Sequence, residues 1–295
     1  MNLRWPILLL LISSAAKGGL DIVSLGKNYL PTRDPVVIHQ TQSDRSGNTS
    51  VRNEWPLHWK EHGYFQRNRD LGQVFTAEKD FTLTAIVLRT GNGTAAFLPG
   101  AAGAPVFLQF FEVTGNPVID DNGTPPGTKA KHGFSTNHRC DDFIRGVTYK
   151  PLRLVRNGLM PNLAAGNDGR LVYMKWTLTG DDRLRCKAGQ RYAFMIGFTE
   201  PGEKRAFTLA NHNAAGAPAP PNLTDAHDAY HGGWAVRREG DGTLPPTMIP
   251  GKPRTELQKE SLFPTGDARF ALPPATDGYP DVDTYRDLEF YLIAQ

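Results

Sequence analysis

The chain has 295 residues, with 33 Lys and Arg against 30 Asp and Glu, for a formal net charge of +3. So slight an excess, with no run of basic residues, argues against a dedicated nucleic-acid binder. Its 30 Gly and 23 Pro fall between apolar runs, as in a chain of short strands and many turns, and a hydrophobic content of 39% excludes disorder.

The first residues read MNLRWPILLLLISSAAKGG. Arg4 supplies a positive start, Ile7 to Ile12 a short apolar core, and Ser14-Ala15-Ala16 the small residues that a cleavage site needs. Residues 1–16 therefore read as a secretory signal, and the protein is expected to be secreted, periplasmic or held at the cell surface. The apolar run is far too short to span about 30 Å of hydrocarbon, and no later stretch reads as a transmembrane span. A cut after Ala16 leaves about 279 residues, enough for one large β domain or two small ones. Cys140 and Cys186 are the only cysteines. In an exported chain they make a candidate disulfide, worth roughly 3–4 kcal/mol if unstrained. The alternative is two separate buried thiols.

Helical periodicity is almost absent. In chain order, β-branched and aromatic runs bounded by turn residues read as strands. They are PVVIH (35–39), QVFT (73–76), FTLTAIVLRT (81–90), PVFLQFFEVTG (105–115), GVTYKPLRLV (146–155), LVYMKWTLTG (171–180), QRYAFMIGFTE (190–200), RAFTLAN (205–211) and DARFALP (267–273). The run YRDLEFYLIA (285–294) comes last and alternates most cleanly, with Leu288, Phe290 and Leu292 on one face and Asp287, Glu289 and Tyr291 on the other. That pattern predicts a half-buried strand. Within FTLTAIVL the first half has one apolar face and the second half two. DDNGTPPG, GNDG and EPGEKR supply the turns. The whole predicts an all-β, antiparallel sandwich, jelly-roll-like, with long irregular loop insertions. Residues 17–68 read as an irregular extension packed on a single sandwich domain over 69–295, whose long loop covers 212–266 and holds one helix-like piece, TELQKESLF (255–263).

RDLGQVFTAEKDFTLTAIVLRTG resembles the opening of bacterial exported β-sandwich modules, with a Gly-Gln-x-Phe step, a turn and a strand that introduces the sheet. DLEFYL resembles the closing strand of that class and AGQRYAFMIGF a strand late in it. The class takes in galactose-binding-like and carbohydrate-binding modules, so the resemblance implies a sandwich fold and glycan binding. It carries over no ligand residue.

Several clusters are candidate sites. DAHDAYHGGW (225–234) offers Tyr230 and Trp234 as flat rings for stacking on a sugar, with His227 and His231 between and beside them. Trp55 and Trp59 form a second aromatic cluster with His58, His62 and Tyr64. For any one of these rings the plainer reading is that it pins a loop onto the sandwich. His227 and His231, with His212 after a strand, would form a metal site only if the loop folds back. His138, Asp141 and Asp142 lie within five residues, as acid–base chemistry requires, or as a capped turn beside Cys140 does. Calcium is the metal such a chain would favour. Asp120 and Asp121, or Asp281 and Asp283, supply hard oxygen ligands from irregular backbone, although turns are rich in Asp for their own reasons.

Three functions fit. The first is a non-catalytic exported protein that binds extracellular or cell-surface glycan through its loops. The second is a polysaccharide hydrolase or lyase using His138 with Asp141 or Asp142. The third is a structural envelope component.

Overall fold

The computed structural model describes residues 18–43, 48–54, 69–91, 97–120, 143–163, 171–213, 229–239, 281–283 and 286–295. They form an all-β sandwich of two antiparallel sheets. The six-stranded sheet, sheet 1, runs β1 (Gly19–Gly26), β8 (Tyr173–Thr179), β5 (Phe81–Arg89), β15 (Phe290–Ala294), β2 (Val36–Gln40), with β9 (Leu184–Cys186) also paired to β5. The nine-stranded sheet, sheet 2, runs β14 (Arg286–Leu288), β11 (Ala206–Asn213), β3 (Asn48–Arg52), β4 (Arg69–Thr76), β10 (Arg191–Phe198), β6 (Pro105–Asp120), β7 (Phe143–Leu159). There β12 (Ala235–Glu239) pairs with β4 and with β13 (Asp281–Asp283).

Period-two hydrophobicity builds the core. Met174, Trp176 and Leu178 of β8 and Phe290 and Leu292 of β15 face Phe75, Phe110, Phe194 and Phe198 of sheet 2. Phe290 meets Phe194 edge-on across the gap, with ring centroids 6.1 Å apart. The sandwich is closed at its margins. Leu20 and Ile22 of β1 pack where a Cβ on Gly158 of β7 would stand, so edge strands of the two sheets meet there. At another corner the Gly91 N–H donates to the Thr208 carbonyl (2.9 Å), joining the end of β5 to β11.

Three features differ from expectation. The described residues within 17–68 are not merely a covering, because β1 and β2 form the two ends of the sheet 1 path and β3 lies within sheet 2. In β5 the register shifts opposite Ile293 and Ala294, which pair with Ala85 and Leu83. Thr84 is thus the extra residue of a bulge, and its hydroxyl donates to the Ile293 carbonyl (3.1 Å). Side-chain parity flips there, so Phe81 and Leu83 face the core before it and Ile86 and Leu88 after it, while Ala85 and Val87 join the outer face. That explains a strand with one apolar face in its first half and two in its second.

The third concerns YRDLEFYLIA. It is two strands, β14 in sheet 2 and β15 in sheet 1, and the chain crosses between the sheets at Glu289, whose N–H donates to the Ala210 carbonyl (2.9 Å). It is not half-buried: Asp287, Glu289 and Tyr291 are buried as well as Leu288, Phe290 and Leu292. Buried polar groups must be paired, and these are. Asp287 accepts from Gln73 Nε2 (2.7 Å) and the Tyr230 N–H (3.1 Å), while Gln73 Oε1 accepts the Leu288 N–H (2.9 Å).

Candidate functional site

The outer face of sheet 1 carries a set of aromatic and charged side chains. The register aligns them in rows. Tyr173 of β8 is opposite Arg89 of β5, and Glu289 precedes the Phe290–Leu88 pair. In the next row Lys175, Val87, Tyr291 and His39 are successive partners across β8, β5, β15 and β2. Val87 and Ala85, turned outward by the bulge, form a low apolar floor between the tyrosines. Tyr29, from the connection between β1 and β2, packs against that floor with Leu25 and Val36.

The three tyrosine rings form one cluster. Centroids lie 5.0 Å apart for Tyr29–Tyr291, 5.7 Å for Tyr29–Tyr173 and 6.2 Å for Tyr173–Tyr291. The exposed His39 ring stacks on Tyr291 at 6.0 Å. Around the rings stand two triads of the same composition. Tyr173 Oη donates to Glu289 Oε1 (2.7 Å), and Arg89 donates to Glu289 Oε2 (3.0 Å) while lying 5.4 Å over the Tyr173 ring. Tyr29 Oη donates to Asp34 Oδ2 (2.7 Å), and Lys175 Nζ to Asp34 Oδ1 (2.7 Å).

The titration of these groups follows from that wiring. Burial, then the hydrogen bond to Asp34, pushes the Tyr29 hydroxyl above its ordinary value. Burial and the bond to Glu289 do the same to Tyr173, against the opposing charge of Arg89. Tyr291 is raised by burial and the Glu289 charge. Burial pushes Asp34 up, but the hydrogen bonds from Lys175 and Tyr29 and the Lys175 charge outweigh it and hold its carboxyl below the ordinary range. The tyrosines therefore stay protonated as donors, and each cation of the triads has an anion beside it. Such a surface offers the part-exposed rings of Tyr29 and Tyr173 with fixed donors and acceptors.

The loop residues that the sequence singles out stand elsewhere. Trp234 is buried at 6% exposure, and its Nε1 donates to Tyr149 Oη (3.0 Å) across the outer side of sheet 2. Arg191 lies 5.4 Å over its ring. Val74, Phe111, Val113, Tyr149, Ala193, Met195 and Val236 complete that cluster. Tyr230 packs edge-on against Phe290 (5.3 Å), on the core side, and burial raises its hydroxyl. Only His231 of the three is exposed. The Gly-Gly step has a steric cause. A Cβ on Gly233 would stand 2.0 Å from the Val74 carbonyl oxygen, and one on Gly232 2.4 Å from Tyr230 Oη. This close approach lets the Val74 N–H donate to the Trp234 carbonyl (2.7 Å) and β12 join β4. His212 is the register partner of Asp287, which also accepts the Tyr230 N–H.

His227, Trp55, Trp59, His58, His62, Tyr64, Asp121, His138, Asp141, Asp142 and Cys140 lie outside the described residues, as does the DARFALP run. Asp120, Asp281 and Asp283 are described in their backbone alone, at the end of β6 and in β13. Among the described residues no group of three His, Cys, Asp or Glu is placed to hold a metal. Cys186 is buried with no cysteine partner among the described residues, and burial pushes its thiol up to about 12. Its pairing with Cys140 is carried by the sequence alone. Among the described residues no helix is long and apolar enough to cross a membrane.

No family model, curated protein or solved structure matches the chain. The functional reading therefore rests on the site.

The sequence reading missed the tyrosine face. Its signal was present in DLEFYL and VYMKWT, where tyrosines and charges occupy the alternate positions that a solvent-facing row should fill with small polar residues.

Proposed function

We propose that this chain is an exported, non-catalytic glycan-binding β-sandwich protein, and that its recognition surface is the outer face of sheet 1. The observation that carries this reading is the pair of part-exposed rings Tyr29 and Tyr173, 5.7 Å apart beside the buried ring of Tyr291, each with its hydroxyl bonded to a carboxylate. A pyranose presents an apolar C–H face and a rim of hydroxyls. Tyrosine matches both at low entropic cost, since its ring is rigid and its edge polar. The triads hold the hydroxyls and the Lys175 ammonium in place before a ligand arrives, which reduces the ordering cost of binding. Export is supported by the signal pattern of residues 1–16, and the sandwich resemblance of the quoted strands points to the same ligand class.

Affinity electrophoresis on a polysaccharide panel tests the proposal. The protein should be retarded by at least one glycan, and Tyr29→Ala should weaken that retardation at least tenfold. Unchanged mobility on every gel, or a Tyr29→Ala protein that is folded and still fully retarded, would remove the reading.

A further inference from the structure

We infer that the ligand of the tyrosine face is an electrically neutral glycan, a polymer of uncharged sugar units, and not a uronate-bearing, sulfated or free-amine polymer. This rests on the glycan-binding reading above and assigns its substrate class. The argument is charge compensation. Two cations stand in the rows, Arg89 and Lys175, and each is bonded to a carboxylate, at 3.0 Å to Glu289 and at 2.7 Å to Asp34. The tyrosine hydroxyls donate into the same carboxylates, and burial and those bonds keep them protonated and uncharged. The rows thus carry two positive and two negative charges, fixed pairwise.

An acidic sugar that drew Arg89 away from Glu289 would strand a carboxylate whose side chain is only 2% exposed. A carboxylate left buried and unpaired is strongly unfavourable. Lys175 offers a weaker obstacle, because its partner Asp34 is 23% exposed, and the margins of the face add one exposed charge of each sign, Asp21 on β1 opposite Thr177 and Arg185 on β9 opposite Thr82. A free-amine sugar meets the reverse problem, since both carboxylates are already engaged by cations. A neutral sugar needs only ring stacking and spare hydrogen-bonding capacity. The face retains that in the lone pairs of the tyrosine hydroxyls, the two remaining N–H donors of Lys175 and the His39 ring.

Affinity gels containing xylan, mannan or mixed-linkage β-glucan as neutral polymers, polygalacturonate or alginate as acidic ones, and chitosan as a cationic one decide the point at 50 and 500 mM NaCl. The expected result is retardation by a neutral polymer that changes less than twofold between the two salts, with none by the charged polymers. Asp34→Asn, checked for folding by near-UV circular dichroism, frees the Lys175 charge and should add retardation by polygalacturonate of at least threefold at 50 mM that disappears at 500 mM. Preference of the native protein for an acidic or cationic polymer, lost at high salt, would overturn the neutral-ligand assignment while leaving glycan binding intact. Silence on all polymers would overturn glycan binding itself.

Discussion

Replacing Glu289 by Gln tests the wiring of the outer face directly. The substitution keeps shape and one acceptor but removes the charge that receives Tyr173 Oη at 2.7 Å and Arg89 at 3.0 Å. Hydrogen bonds to charged groups contribute roughly 1.5–3 kcal/mol each. Tyr173 keeps a neutral acceptor in Gln, and the Arg89 side chain is 25% exposed, so part of its loss is returned by water. The expected cost is about 2 kcal/mol in total, or about 5 °C in Tm for a chain of this size. Tyr173→Phe should cost about 1 kcal/mol, and the double variant about 0.5 kcal/mol less than the sum, because one change weakens the bond that the other removes. Arg89→Met leaves the carboxylate without its cation and should be the most damaging, at roughly 3–5 kcal/mol. Urea unfolding followed by tyrosine and tryptophan fluorescence measures all four. A Glu289→Gln protein within about 0.5 kcal/mol of the parent, or strict additivity of the pair, would refute the view that this carboxylate organises the face.

Further outcomes come from the geometry. Gly233→Ala puts a methyl 2.0 Å from the Val74 carbonyl oxygen, and Gly72→Ala one 1.8 Å from that of Phe194. Because backbone must move in both, each should lower stability by about 3 kcal/mol or more, read as a shift of the urea midpoint. Asp34 has a depressed carboxyl, so its contribution to stability is complete above its unfolded-state value and is lost as the pH falls through the folded one. The stability gap between the native protein and Asp34→Asn should therefore be present at pH 6 and close on acidification below pH 4, a range that follows from the ordinary carboxyl value of about 3.9. Being partly exposed, the pair should contribute no more than about 1 kcal/mol. Cys186 should resist thiol-specific alkylation at pH 8 in the folded protein and react once the chain is unfolded and reduced, since burial raises its thiol to about 12. Rapid modification under native conditions would contradict its placement.

Much of this architecture was legible as alternation. The runs around Trp176 and Phe207 show the period-two pattern that places them in the core, those around Phe75 and Phe194 belong to strands buried on both faces, and all four rings are buried there. Where the pattern misled, polar residues were satisfied internally. Asp287 and Glu289 occupy positions that read as solvent-facing, but Gln73, Tyr173 and Arg89 supply partners from strands distant in sequence. The bulge at Thr84 was hidden because its signature, a doubly apolar half-strand, is also that of a strand buried on both sides. β9 and β13 are three residues each, too short for periodicity to register. The site was less legible. Tyr29, Tyr173 and Tyr291 come from three separate segments, and only register and the bulge bring them together. Trp234 shows the opposite difficulty. An indole in a Gly-rich loop suits a ligand surface and a buried anchor equally, and its hydrogen bond to Tyr149 distinguishes the two.

The strand order of sheet 1 bears on how the protein is made. Its neighbours are drawn from residues 19–26, 173–179, 81–89, 290–294 and 36–40, so no hydrogen-bonded pair along that path is a hairpin of consecutive strands. Each pairing must close a long excursion before it gains anything, which places folding among the slow, high-contact-order cases. In sheet 2, by contrast, β6 and β7 are consecutive and pair along most of their length, which makes them the natural nucleus. Proteolytic nicking of the finished molecule should accordingly leave fragments that co-migrate as one non-covalent complex, since each carries strands that only the other can complete.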